Sequence, residues 1–167
     1  MRKGGRPATG AVVRPAGGHR AEWDRLYADY ALFYRVAQTE QMRDRVWSWI
    51  TDGTHELEAL VALGPERRPI GLAHFRPFAR PLSATIGGFL DDLFVDPAFR
   101  GMGVAQLLVE AVAEVGRQRG WSVLRWITAE NNYRARGAYD HIASKTGWVT
   151  YDADLSGPRR DRPAPPQ

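Results

Sequence analysis

Between His19 and Arg35 the apolar residues Trp23, Leu26, Tyr27, Tyr30, Ala31 and Tyr34 recur at the three-and-four spacing of a helix face. A second helix is predicted from Thr39 to Ile50. Thr39 is a capping type, Met42, Val46, Trp47 and Ile50 form the apolar face, and Asp52-Gly53 supplies the stop. Ahead of both, Ala11 to Arg14 reads as a short strand ended by Pro15 and the Gly17-Gly18 pair. After them the period changes. Glu58 to Leu63 and Ile70 to Phe78 predict two strands around a turn from Gly64 to Pro69, and Phe89 to Val95 a third, reached through a polar, glycine-containing connection. Val104, Leu107, Leu108, Ala111, Val112 and Val115 then share one face of a helix that runs to Gly120. Trp121 to Thr128 predicts a strand, Asn132 to Ala143 a short helix, and Trp148 to Ala153 a last strand. The order is strand, two helices, three strands, helix, strand, helix, strand.

A chain of 167 residues fits one domain with one core. It has no cysteine, so disulfides, Cys-ligated zinc and a cysteine nucleophile are excluded. The apolar runs are short, and Met1-Arg2-Lys3-Gly4-Gly5-Arg6-Pro7 leads into no hydrophobic stretch of signal-peptide length, so a soluble, cytoplasmic protein is expected. The net charge of +4 invites a nucleic-acid reading, which the distribution weakens. From Ala11 to Tyr151 there are 17 Lys/Arg against 16 Asp/Glu, while Arg2, Lys3, Arg6, Arg159, Arg160 and Arg162 lie in the flanks. Residues 1–10 and 154–167 are rich in Gly, Pro and Arg, a composition that predicts disorder around a domain spanning 11–153.

The chemistry concentrates in Leu90-Asp91-Asp92-Leu93-Phe94-Val95-Asp96-Pro97-Ala98-Phe99-Arg100-Gly101-Met102-Gly103-Val104-Ala105, which reads as strand, turn and helix start. Gly101 and Gly103 lie where the turn becomes helix. They can take dihedrals costly to other residues and let a ligand approach the backbone. The first helical turn offers unpaired N–H groups and partial positive charge, which together suit a pyrophosphate, and Arg100 adds a full charge beside them. The same glycines also serve a tight connection with no ligand. A dinucleotide fingerprint fails for want of a third glycine and of an acidic residue about 20 positions on, and a P-loop fails for want of Gly-Lys-Ser/Thr.

Arg100, Gly103 and Ala105 match an acetyl-CoA motif of Arg or Gln, two residues, Gly, one residue, then Gly or Ala. Upstream stands Asp91-Asp92-Leu93-Phe94-Val95-Asp96-Pro97; downstream, Asn132-Tyr133-Arg134-Ala135-Arg136-Gly137-Ala138-Tyr139 supplies a second motif in the right order. In these features the chain resembles the GNAT family of N-acetyltransferases over about residues 11 to 153. Arg25 to Tyr34 is similar to the first helix of a subgroup with yeast histone and polyamine acetyltransferases. The resemblance implies a mixed α/β fold: a twisted, mostly antiparallel sheet, splayed between the Phe89 and Trp121 strands, with helices on both faces. It implies acetyl-CoA as co-substrate, with Leu93, Phe94 and Val95 lining pantetheine, Arg100, Gly101, Met102, Gly103, Val104 and Ala105 around the pyrophosphate, and Asn132 on the cofactor arm. It places Tyr139 near the thioester sulfur, as proton donor to the leaving thiolate. The same tyrosine also fits as an aromatic packed on its helix.

The acceptor amine poses a second proton problem. An alkylammonium of ordinary pKa is only about one part in several thousand neutral at pH 7, a handicap of roughly 4 to 5 kcal/mol. Asp91 and Asp92 are the candidate bases, and strand alternation expects their side chains on opposite faces. Asp91 takes the position where related polyamine-type enzymes carry Glu, one methylene longer, which favours relay through water. Either carboxylate also fits as a turn cap or an arginine partner. His19, His55, His74 and His141 lack metal-ligand spacing, so no metal is assigned; His74 lies on a strand that should neighbour the acetyl site. No Gly-x-Ser-x-Gly elbow supports serine acyl chemistry. Trp47 and Trp49 read as helix packing or the border of an amine cleft, and Arg134 and Arg136 as surface charges. The expected function is acetyl transfer to a polyamine, lysine side chain or other small amine, with neither nucleic acid nor membrane as partner; a homodimer is left open. The rival is a non-catalytic acetyl-CoA-binding or nucleic-acid-associated module.

Because the flanks add charge but no core, trimming the chain to residues 10–155 is expected to leave turnover and melting temperature nearly intact. A large loss in thermal denaturation or steady-state rate would make the flanks structural.

Overall fold

A computed structural model of the protein describes residues 10–156. The two segments expected to be disordered fall outside it except for Gly10 and Asp154 to Ser156, which lie in no helix or strand. Five strands form one sheet in the order β1 (Val12–Val13), β2 (Glu58–Leu63), β3 (Pro69–Arg80), β4 (Thr85–Val95) and β5 (Leu124–Trp126). Neighbours pair antiparallel except β4 and β5, which are parallel. Helices α1 (Arg20–Phe33) and α2 (Glu40–Thr51) cover one face and α3 (Val104–Gln118) the other; α4 (Tyr133–Tyr139) follows β5. Among the described residues no helix is long and apolar enough to cross a membrane.

Two cores sandwich the sheet. On the α1 face Trp23 and Leu26 pack with Val61, Leu63, Leu72 and Phe94; on the α3 face Leu108 and Val112 pack with Leu60, Ala62, Ala73 and Phe75. Successive residues of β2 therefore serve opposite cores, which is why its sequence is a continuous apolar run rather than an alternation. The caps follow local chemistry. Thr39 Oγ1 accepts from Met42 N at 3.2 Å and starts α2. Helix α1 ends two residues short of its predicted limit because Arg35 turns left-handed (φ 56°), so that Val36 N–H bonds Ala31 O at 2.9 Å and Arg35 N–H bonds Leu32 O at 3.0 Å.

The largest differences from expectation lie around the Trp121 strand. Strand β4 begins at Thr85, so the glycines read as connection, Gly87 and Gly88, belong to the strand. A Cβ on Gly88 would stand 2.3 Å from the Trp121 ring, and one on Gly116 would stand 2.8 Å from it. These glycines form the seat in which Trp121 joins α3 to the sheet. That packing leaves only Leu124–Trp126 as β5. Helix α4 stops at Tyr139 rather than Ala143. The predicted strand from Trp148 to Ala153 is absent, and Trp148 and Tyr151 are 84% and 89% exposed. A β-branched and aromatic run records fitness for a pleated, half-buried surface. With no strand beside it among the described residues, this run forms no ladder.

Gly88→Ala is expected to force the Trp121 ring from its seat and destabilise the fold by about 1–3 kcal/mol in urea denaturation. Gly17→Ala, where a Cβ meets nothing within 4 Å, is expected to change stability by less than about 0.5 kcal/mol.

Candidate active site

Parallel pairing of β4 with β5 covers only Gly88, Leu90 and the residue between them, opposite Leu124 to Trp126. Strand β4 runs on to Val95 without that partner. Its other edge stays paired to β3, through Ala73↔Leu93, Leu72↔Phe94 and Gly71↔Val95. Hydrogen-bonding groups on the freed edge therefore face a fork in the sheet. Tyr30 of α1 and Tyr34 just past its end, Asp91 and Leu93 of β4, and Trp126, Thr128 and Tyr139 line a small cleft there.

Asp91 occupies a bulge. His74 pairs with Asp92 and Phe75 with Leu90, which leaves Asp91 with no opposite residue. The extra residue corrects the expectation of opposite faces: Asp92 contacts His74 and Asp91 contacts Arg76, and residues two apart on β3 share a face. Both carboxylates thus stand on the α1 face. Arg76 Nε–H lies 3.3 Å from Oδ1 of Asp91 and 3.2 Å from Oδ2. One donor is shared between two oxygens, so Oδ2 is buried without a hydrogen bond of its own. Burial pushes the Asp91 carboxyl above the usual range; Arg76 opposes this and neighbouring Asp92 reinforces it.

Asp92 is held differently. Its Oδ2 lies 2.8 Å from Nδ1 of His74 and accepts from the Tyr27 hydroxyl at 3.2 Å. The fully buried His74 accepts at Nε2 from Trp23 Nε1–H at 3.0 Å. Trp23, Tyr27 and Tyr30 descend α1 towards the cleft and Tyr34 follows at its C-cap, with Tyr30 and Tyr34 ring centroids 5.1 Å apart and edge-on. Burial, then the charge of Asp92, push the Tyr27 and Tyr30 phenols far above their ordinary range. Tyr139 packs edge-on against Trp126 at 5.3 Å, and burial, with Tyr34 nearby, raises its phenol pKa. It stays protonated throughout the neutral range.

Beyond the fork, Gly101 and Gly103 both adopt φ of +80°, and a Cβ on either would meet nothing within 4 Å. They leave the α3 N-terminus open, with no acidic side chain in its first turn. The amides of Val104, Ala105 and Gln106 have no partner within the helix. Met102 is exposed beside them and Val104 is buried in the core. Arg100 does not project over this turn. Its Nε–H bonds Val95 O at 3.1 Å, and its guanidinium lies over the Phe33 and Phe94 rings at 5.6 and 5.4 Å. Asn132 caps α4, its Oδ1 accepting from Ala135 N at 3.4 Å, while its amide nitrogen reaches Thr128 Oγ1.

The structure thus gathers Asp91, Leu93 and Tyr139 in one cleft, with Asp92 behind it, Phe94 and Val95 turned into the cores, and Arg100 to Ala105 at the adjoining turn. Sequence patterning alone does not reveal Tyr30 and Tyr34, which read only as apolar helix positions, or Trp126 and Thr128. The available signal was the hydroxyl at Tyr27, Tyr30 and Tyr34 on one helix face, where Leu or Phe would pack as well. Among the described residues no group of three His, Asp or Glu is placed to hold a metal.

Comparison with known proteins agrees with this architecture. A thialysine N-epsilon-acetyltransferase of Caenorhabditis elegans is 33% identical over 137 residues, covering 74% of this chain and 82% of that one. A D-amino-acid N-acetyltransferase of Saccharomyces cerevisiae is 26% identical over 130 residues, covering 77% and 81%. Among solved structures, a probable acetyltransferase superposes with a TM-score of 0.77 at 22% identity, covering 89% of this chain and all of that one. An aminoglycoside N-acetyltransferase in complex with CoA gives 0.76 at 18%, covering 93% and 99%. The model of the acetyltransferase (GNAT) family matches residues 23–143, from the buried Trp23 past α4, and the chain belongs to that family.

Proposed function

We propose that the protein transfers an acetyl group from acetyl-CoA to the primary amine of a small cationic substrate, by direct attack and without a covalent enzyme intermediate. The observation that carries this reading is the pairing of Asp91 with Tyr139 across one cleft. A carboxyl raised by burial and a phenol kept protonated face it from β4 and α4. A carboxylate of raised pKa is the better proton acceptor, and a protonated phenol the ready donor. Through a bridging water, Asp91 takes the proton of the substrate ammonium. The freed amine nitrogen forms its bond to the thioester carbonyl carbon, a β4 backbone N–H supports the carbonyl oxygen, the carbon–sulfur bond breaks, and the thiolate takes the Tyr139 proton; the second proton shed by the nitrogen as the amide forms restores Tyr139 through water, and Asp91 releases the first to solvent.

The remaining residues fit acetyl-CoA by their geometry. The open amides from Gly101 to Ala105, exposed by two glycines without Cβ atoms, suit the pyrophosphate, whereas the Arg100 N–H is taken by Pro97 O. The β4 edge freed at Leu93 and Phe94 can extend its ladder with the amides of a pantetheine arm, with Val95 O already taken by Arg100 and Asn132 on the far side. The amine site, walled by Tyr30, Tyr34 and Asp91, favours a cation. The relatives named for D-amino acids and for thialysine act on small amino compounds of that kind. The direct test is a panel of spermidine, L-lysine, thialysine, a D-amino acid and kanamycin with acetyl-CoA, read as free thiol. Cofactor binding without thiol release from any of them would defeat the reading.

Two substitutions separate the roles. Tyr139→Phe keeps the ring against Trp126 but removes the proton, so kcat is expected to fall by about 10²–10⁴-fold with acetyl-CoA affinity nearly unchanged. A near-wild-type kcat would leave Tyr139 a packing residue. Gly103→Glu places bulk and negative charge where phosphate oxygens are to approach, and should weaken CoA binding by at least about tenfold in calorimetry, or about 1.4 kcal/mol. Unchanged affinity would remove the turn from the cofactor site.

A further inference from the structure

His74 is the one polar or charged side chain that is fully buried among the described residues. Its protonation is fixed by its neighbours. An indole N–H can only donate, so Nε2 of His74, 3.0 Å from Trp23 Nε1, carries no proton. The ring is therefore neutral with its proton on Nδ1, and Nδ1–H donates to Oδ2 of Asp92 at 2.8 Å. Tyr27 O–H donates to that same oxygen at 3.2 Å. Two donors occupy Oδ2, and the Tyr30 phenol of the cleft wall stands beside the same carboxylate, so a substrate ammonium would meet Asp92 at Oδ1, next to Tyr30. Asp92 keeps 22% of its side chain exposed, on the face that holds Asp91 and the cleft tyrosines.

Resting on the acetyltransferase reading above, we propose that His74 is a positioning residue for the amine substrate. Anchored by Trp23, it holds Asp92 behind the cleft wall, where Oδ1 takes one N–H of a substrate ammonium that enters beside Tyr30 and Asp91. Asp91 is left to accept the proton that must depart. The two adjacent carboxylates then divide the work: Asp92 holds the cation and Asp91 discharges it. The Trp23 and Asp92 bonds satisfy both ring nitrogens, as burial requires; the functional step lies in what the second bond does, which is to fix Asp92 through Oδ2 alone. The arrangement acts on the amine alone, since no link of it touches the α3 turn.

Asn and Gln substitutions test this by separating the two ring nitrogens. The amide nitrogen of Asn reaches the place of Nδ1, so His74→Asn keeps a donor to Asp92 and loses the bond to Trp23. The amide of Gln reaches the place of Nε2, so His74→Gln keeps an acceptor for Trp23 and loses the donor to Asp92. With the amine of the panel that is turned over fastest, His74→Gln is expected to raise the amine KM by about tenfold or more. His74→Asn should stay within about threefold of wild type, and the acetyl-CoA KM should be unchanged in both. Equal effects of the two variants, or an unchanged amine KM in the Gln variant, would overturn the proposal. Nitrogen-15 NMR of the wild-type protein provides a reading that needs no variant to fold. It should show the Nδ1–H tautomer, with that proton shifting on addition of the same amine but not of CoA; the Nε2–H tautomer would also overturn the proposal. Failure of the wild-type protein to release thiol with any amine would defeat the acetyltransferase reading instead, and the two failures are thereby distinct.

Discussion

A parallel pairing only three residues long holds β5 against β4, and every feature of the cleft is spaced from the point where it stops. Backbone N–H and C=O groups need partners, and a strand freed of one neighbour inside a sheet must give them to something else. Here the freed edge opens between α1 and α4, so an extended ligand can complete the ladder that β5 abandons. The bulge at Asp91 sits one residue past the last paired position, where the twist it adds swings both carboxylates towards α1. Fork and bulge act together: one makes the gap and the other decides what faces it.

The two faces of the sheet divide stability from chemistry. Against α3 the packing is apolar, from Phe75 and Leu90 through Leu108 and Val112, and Trp121 closes it over glycines. Against α1 the sheet carries His74, Asp91 and Asp92, and the helix answers with an indole and three phenols in place of aliphatic side chains. Such a polar seam contributes less to folding than an apolar one of equal area, because each buried group must find a partner. Its members nearly all do; Oδ2 of Asp91 is the exception, on the group nearest the cleft. An unsatisfied buried oxygen carries a local cost in stability, and here that cost falls at the cleft.

Much of the fold was legible because it depends on local chemistry. The Thr39 cap, the stop at Gly120, the glycine turn before α3 and the helix periods all act within a few residues of themselves. What failed depends on partners remote in sequence. Gly87 and Gly88 read as loop because their purpose, room for Phe78 and Trp121, lies elsewhere in the chain. The strand expected from Trp148 to Ala153 had the right side chains and no ladder. The bulge escaped because alternation cannot reveal a skipped partner, and so Asp91 and Asp92 were assigned to opposite faces. For the candidate site, Asp91, Leu93 and Tyr139 stand out in the sequence through their motifs, whereas the placing of Tyr30, Tyr34 and His74 around them follows only from packing.

The turn between β4 and α3 is moored to α1 twice, by contacts of different character. Asp96 accepts from Arg25 at 2.8 Å, within a surface cluster that includes Glu22 and Asp29. Arg100 reaches back to Phe33 and Phe94 through its flat face and to Val95 O through one hydrogen bond. Mobile ions screen exposed charge pairs over a Debye length of about 8 Å at physiological strength and about 3 Å at 1 M, while a cation seated on rings is shielded by the rings themselves. In brine the first mooring slackens and the second holds. The helix and the turn then stay joined at the end nearest the cleft, and a halotolerant version of this fold would have little there to redesign.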